Sequence, residues 1–125
     1  MHCSKNNEKR VVVTGMGVVS AVGIGLKEFW DNLLSGKSGV SRIDSFDIEK
    51  IASKIAAQIK NFDPLVFMDA KQAKRMDRFA QFGVAATILA LEDGKLKIDT
   101  SNENDVGVYI GRKWCRGVND TGKPA

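Results

Sequence analysis

Histidine occurs once in the 125 residues, tyrosine once, cysteine twice and proline twice. Each scarcity closes off a class of chemistry. Cys3 and Cys115 stand near opposite ends, so they give neither a disulfide framework nor the paired spacing of a zinc or thiol-redox site. Both are read as free thiols. His2 lies beside Cys3, but no further histidine exists to complete a metal ligand set. No apolar run reaches the about 18 residues that a membrane-spanning helix needs, and the leader MHCSKNNEKR lacks the apolar middle of a signal peptide. The chain is therefore read as cytoplasmic, with no membrane partner. Charge of one sign is also in short supply. Nineteen Lys and Arg against fifteen Asp and Glu leave a net +4, too slight to imply nucleic acid without a localised patch. The four Lys or Arg and single Asp of residues 112–125 carry +3 of it, so residues 1–111 are nearly neutral.

What is present, 43% hydrophobic and 27% charged residues, is the composition of one soluble globular domain. Val11, Val12 and Val13 run into Thr14-Gly15-Met16-Gly17. A β-branched run closed by glycines predicts a strand covered on both faces, which favours a parallel α/β sheet. Over 25–36, Leu26, Phe29, Trp30, Leu33 and Leu34 recur at helical spacing, with Gly36 placed to end the helix. The signal then weakens. Residues 54–59 read as a strand by alternation, although Ile51, Ile55 and Ile59 fit a helix equally well. Asp63-Pro64 marks a turn or the first position of a short helix. A helix is predicted over 70–93, with Asp69 as N-cap, Gln72 completing a capping box and Gly94 as the stop. Residues 79–91 are apolar on nearly every side, so this helix is expected to be buried. The run Val106-Gly107-Val108-Tyr109-Ile110-Gly111 predicts a second core strand.

Two phosphate-binding motifs are only partly present. Gly15 and Gly17 suggest a dinucleotide turn, but the third glycine position holds Ser20, and a structural turn is the stronger reading. Gly36-Lys37-Ser38 resembles the end of a P-loop, yet Asp31 occupies the required glycine position and a helix precedes it where a strand should. No base accompanies either cysteine, and no paired carboxylates single out an acid and a base. No catalytic residue is assigned. The remaining oddity is Lys71, Lys74, Arg75 and Arg78, which share one face of the predicted helix in its first turns, where the macrodipole disfavours cations. A solvated face offset by Asp69 and Asp77 is the plain explanation. A docking face for an acidic partner is the sharper one.

The string Val11-Val12-Val13-Thr14-Gly15-Met16-Gly17-Val18-Val19-Ser20 resembles the opening of the β-ketoacyl-acyl-carrier-protein synthases, especially the type II condensing enzymes of bacterial fatty-acid synthesis. Leu33-Leu34-Ser35-Gly36-Lys37-Ser38-Gly39-Val40, Lys74-Arg75-Met76-Asp77-Arg78-Phe79 and the run 106–111 follow in the family's order. The resemblance implies an α/β fold: the N-terminal portion of a thiolase-like α/β/α/β/α layered architecture, incomplete in this chain. It also implies acyl transfer to a cysteine and decarboxylative Claisen condensation with malonyl-carrier protein, assisted by two histidines. Those catalytic residues lie C-terminal to anything present here, and Cys115 does not occupy the nucleophile's motif. No cofactor is implied, because the substrates arrive on the phosphopantetheine of acyl carrier protein. The positions matching Lys71, Lys74 and Arg75 belong to the patch that receives that acidic carrier, and family members are homodimers.

After Gly111 the sequence continues Arg112-Lys113-Trp114-Cys115-Arg116, where the family has a small glycine-rich turn. Residues 1–111 are therefore expected to be a partial synthase N-terminal domain and 112–125 a non-matching basic tail. A frameshift, premature stop or gene fragment is expected to account for the abrupt departure. Each large side chain left in water forgoes about 1.5–3 kcal/mol against the ~5–15 kcal/mol that stabilises a domain, so a marginal or aggregating product is expected. An inactive N-terminal portion retaining part of the carrier-docking surface is the leading functional expectation. The alternative is a stand-alone carrier-binding module without catalysis. Nucleic-acid binding is weakest, since no stacking aromatics accompany the cations.

Overall fold

A computed structural model describes residues 10–111. His2, Cys3, Cys115 and the basic tail, with the expectations attached to them, lie outside the described residues.

Helix α1 spans Leu26–Leu34. Gly25 opens it at φ 84°, and the Glu28 carboxylate accepts from the Ile24 amide at 3.0 Å. Its end follows the expected glycine stop. Gly36, at φ 70°, donates to the Leu33 carbonyl while Lys37 donates to Asn32, the paired bonds that close a helix through a left-handed residue. The segment before α1 is a turn organised by Ser20. Its hydroxyl donates to the Gly23 carbonyl at 3.0 Å and accepts from the Val22 and Gly23 amides at 3.2 Å.

Strand β1 (Val40–Arg42) pairs antiparallel with β2 (Ile55–Ala57), placing Ser41 opposite Ala56 on the inward side. The strand expected at 54–59 is thus present in shorter form. Beyond the ladder, Lys60 meets Asp44 at 2.7 Å and the Gln58 amide donates to the Ser45 hydroxyl at 2.8 Å. Ile48 is buried in the connecting loop, whose Ile48 and Glu49 carbonyls both accept from the Lys54 ammonium.

Asp63 caps a single 3₁₀ turn over Pro64–Val66 by accepting from the Leu65 amide at 2.9 Å. Phe62 and Met68, on either side of this turn, are buried. Phe62 stacks on Phe67 at 5.9 Å between centroids and meets Phe82 edge-on at 4.8 Å, both favourable aromatic geometries.

The single helix expected over 70–93 is broken. Helix α2 covers only Ala70–Ala73, and α3 begins again at Arg78 and runs through Arg78–Asp93. Asp77 takes an extended backbone, φ −64° and ψ 153°, which stops a continuous helix at that point. The Gln81 side chain fills the gap, donating to the Ala73 carbonyl at 2.9 Å and to Met76 at 3.3 Å. Neither Asp69 nor Asp77 makes a side-chain cap bond, so the expected capping box at 69–72 does not form. Gly94 does end α3, although the left-handed residue is Lys95, at φ 52°.

Gly94 serves a second purpose. A Cβ there would sit 3.2 Å from the Thr14 carbonyl, while one on Gly15 would fall 2.4 Å from the Ala90 carbonyl and one on Gly17 only 2.0 Å from Ala86. The turn expected at Gly15 and Gly17 does not form; residues 14–17 run without a turn or bend directly on the α3 backbone, along the small residues Ala86, Ala90 and Gly94, and the Met16 amide donates to Asp93 at 2.9 Å.

The parallel sheet expected from the runs 11–13 and 106–110 does not form among the described residues, where the sheet is the β1–β2 pair. Val11 is 97% exposed and Tyr109 98%. The run 106–110, with Thr14 and Gly15, flanks α3 across an open groove lined by Ala86, Ala90 and Leu96. A run that is apolar on both faces is patterned for cover on both. Here the described residues cover at most one, and within α3 itself Ala85 is the residue that becomes fully buried.

Candidate docking site

The cations singled out in the sequence come to the surface around the α2–α3 break. Lys71 lies within α2, Lys74 is its C-cap, and the Arg75 amide donates to the Gln72 carbonyl at 3.0 Å. All three side chains are exposed. Among the described residues none of the three forms an ion pair or side-chain hydrogen bond.

The break changes the electrostatic argument made for this cluster. Four helical residues build little macrodipole, and Lys71 and Lys74 stand at the C-terminal end of α2, where cations are favoured. The expected unfavourable placement in the first turns of a long helix is therefore overturned for Lys71, Lys74 and Arg75. Arg78 alone retains it, as the first residue of α3. That side chain is engaged locally. It donates to the Ile59 carbonyl at 2.9 Å and lies 5.3 Å above the centre of the Phe82 ring, a cation–π distance. Arg78 thus ties α3 to the end of the β1–β2 hairpin, and the four cations separate into three outward charges and one structural one.

Three solvated cations without carboxylate partners give little folding stability, since exposed pairs contribute only about 0–1 kcal/mol even when formed. Their chemistry is long-range attraction of an acidic surface, together with charge-assisted hydrogen bonds once it arrives.

Other candidate chemistry stays apart from this face. Ser20, in the third-glycine position of the incomplete dinucleotide motif, spends its hydroxyl on the turn itself. Lys37 of the P-loop-like string reaches the Asn32 side chain at 3.5 Å. Among the described residues no His, Cys, Asp and Glu side chains cluster as a metal site, and no helix is long and apolar enough to cross a membrane.

Comparison with known proteins places this geometry in a family context. The model of the "Beta-ketoacyl synthase, N-terminal domain" family matches residues 8–116. The chain is 42% identical over 104 residues to 3-oxoacyl-[acyl-carrier-protein] synthase 2 of Synechocystis, covering 83% of this chain and 25% of that protein. Against the Vibrio cholerae protein of the same name the identity is 43% over 105 residues, covering 84% and 25%. Among solved structures, the ishigamide ketosynthase/chain length factor superposes with a TM-score of 0.63 at 33% identity, over 77% of this chain and 23% of that one. The chain thus spans about a quarter of the length of the curated relatives it matches. The fold is ketosynthase-like, and with most of its length matched the chain belongs to the β-ketoacyl synthase family, whose N-terminal domain it carries.

Proposed function

We propose that this chain supplies the N-terminal part of a 3-oxoacyl-[acyl-carrier-protein] synthase 2 of fatty-acid synthesis, and that Lys71, Lys74 and Arg75 form part of the surface that receives acyl carrier protein. One observation carries the docking role: three neighbouring cations stand exposed with no partner among the described residues, while their neighbour Arg78 is consumed by Ile59 and Phe82. The names of the relatives supply the partner, an acyl carrier protein, and its acidity supplies the complementary charge.

In this reading the thiolase-like α/β/α/β/α layering belongs to the whole synthase, with residues 1–111 as its first portion. No described residue is assigned to the transfer and condensation steps, and the contribution proposed for this chain is recognition of the carrier, in the cytoplasm and without a cofactor of its own. Substrate acyl groups reach the synthase on the carrier's phosphopantetheine, and the complete synthase is a homodimer.

Titration of the chain with acyl carrier protein, and separately with duplex DNA, each at low and physiological salt, tests the proposal. Salt-sensitive binding of the carrier, weakened about tenfold by Lys74→Glu, is expected. Binding to DNA but not to the carrier would overturn it. A condensation assay with acyl- and malonyl-carrier protein is expected to show no turnover, and turnover would overturn the placement of catalysis outside the chain.

A further inference from the structure

We propose that Leu65 and Val66 are an apolar anchor of the same docking face, packing against an apolar spot that the carrier protein presents among its carboxylates; this rests on the carrier-docking reading above. The four residues 65–68 divide sharply. Phe67 and Met68 turn inward, Phe67 onto the Phe62 ring and Met68 into burial, whereas Leu65 is 60% exposed and Val66 73%. Turn chemistry does not require apolar side chains at these two positions. Asp63 supplies the cap by accepting from the Leu65 amide, Pro64 fixes the first residue, and the Phe67 and Met68 amides both donate to the Pro64 carbonyl.

The turn leads through Met68 and Asp69 directly into α2 and packs against it. The turn that carries these two exposed aliphatic side chains therefore packs beside the helix that holds Lys71 and ends at Lys74, both without a partner among the described residues. Charge selects the occupant: a cationic rim beside an apolar patch fits an acidic protein surface with a desolvated centre, the arrangement in which rim charges set encounter and buried apolar contacts set residence time.

The test is a calorimetric titration of apo acyl carrier protein into the whole chain, its Leu65→Ser/Val66→Ser variant, a Leu65→Lys/Val66→Lys variant and Lys74→Glu, over a salt series. The serine variant is expected to bind about tenfold more weakly with the salt slope unchanged. Lys74→Glu is expected to weaken binding and flatten the slope. The double-lysine variant adds positive charge while removing apolar surface, and it too is expected to bind more weakly than the parent. Unchanged binding of the serine variant beside a weakened Lys74→Glu would overturn the anchor and leave the docking face standing. Tighter binding of the double-lysine variant would do the same, since charge alone would then govern the face. Unchanged binding by Lys74→Glu would overturn the docking reading itself. A serine variant that loses the parent's thermal transition would show the pair to be structural, which also overturns the anchor.

Discussion

Between residues 40 and 82 the chain closes on itself through side chains: the Phe62–Phe67–Phe82 cluster, buried Ile48 and Met68, the Lys60–Asp44 pair, and Arg78 reaching back to Ile59. Around the C-terminal half of α3 the contacts are of another kind. There the glycine segment 14–17 lies backbone to backbone on the helix, while Val11, Val12, Val13 and Val108 face solvent. The first region recruits its partners from nearby sequence, although Phe46, Ile55, Leu65 and Val66 stay exposed at its surface. The second has the composition of a core and, among the described residues, only one wall of it.

Phe62→Ala attacks the first region and has the largest expected effect. Removing a buried phenylalanine costs about 3–5 kcal/mol, and this small cluster near the surface places it at the lower end. Urea denaturation followed by far-UV circular dichroism should show the loss, and amide exchange should locate it in 55–82. If the 84–92 amides lose protection together with them, the two regions are a single cooperative unit and the contrast drawn here fails.

Gly17→Ala attacks the second region. The new Cβ would stand 2.0 Å from the Ala86 carbonyl oxygen and 2.7 Å from the Ala90 nitrogen, backbone atoms that cannot swing aside. Overpacking of this kind costs about 1–3 kcal/mol. Release of the 14–17 segment from α3 should appear as faster exchange of the Met16 amide, now held by Asp93. Gly111→Ala, whose Cβ would meet nothing within 4 Å, is the matched substitution expected to be neutral.

Local signals in the sequence carried well wherever neighbours decide the outcome. The spacing of Leu26, Phe29, Trp30 and Leu33 and the Gly36 stop predict α1, and Asp63-Pro64 predicts the capped turn. They carried less well where distant contacts decide. Periodicity over 70–93 is continuous, yet the extended backbone at Asp77 interrupts it, and Gln81 bridges the gap with hydrogen bonds that no hydrophobic pattern encodes. Val40 through its pairing with Ala57 became a strand without any strong alternation of its own. Gly94 was legible as a stop for the wrong reason: Lys95 takes the left-handed conformation, and Gly94 is small because Thr14 crosses it. The three cations proposed for docking were legible as a charge cluster, but the arginine that leaves the cluster was not, because Phe82 and the Ile59 carbonyl that engage it are brought near only by the fold.

The smallest expected effect concerns how the first region is fastened at its rim. The Lys60 hydrogen bond, and then the Lys60 charge, hold the Asp44 carboxyl below the usual carboxylate range. A carboxyl whose folded pKa lies below its unfolded one, about 3.9, contributes stability that is fully present above that unfolded value. The contribution is lost as pH falls through the folded pKa. Asp44→Asn should therefore lower the melting temperature slightly at neutral pH and not at all in strong acid, with the gap closing below about pH 4. Because both side chains are exposed, added salt should shrink the gap at neutral pH. Asp99, in the second region, is the contrast: the Ser101 hydroxyl, and then its amide, lower that carboxyl, with no cation involved. Its contribution should follow the same direction with pH and survive the salt. A gap at Asp44 that ignores salt would mean that hydrogen bonding alone secures the hairpin rim, and that the two regions do not differ in how their carboxylates are held.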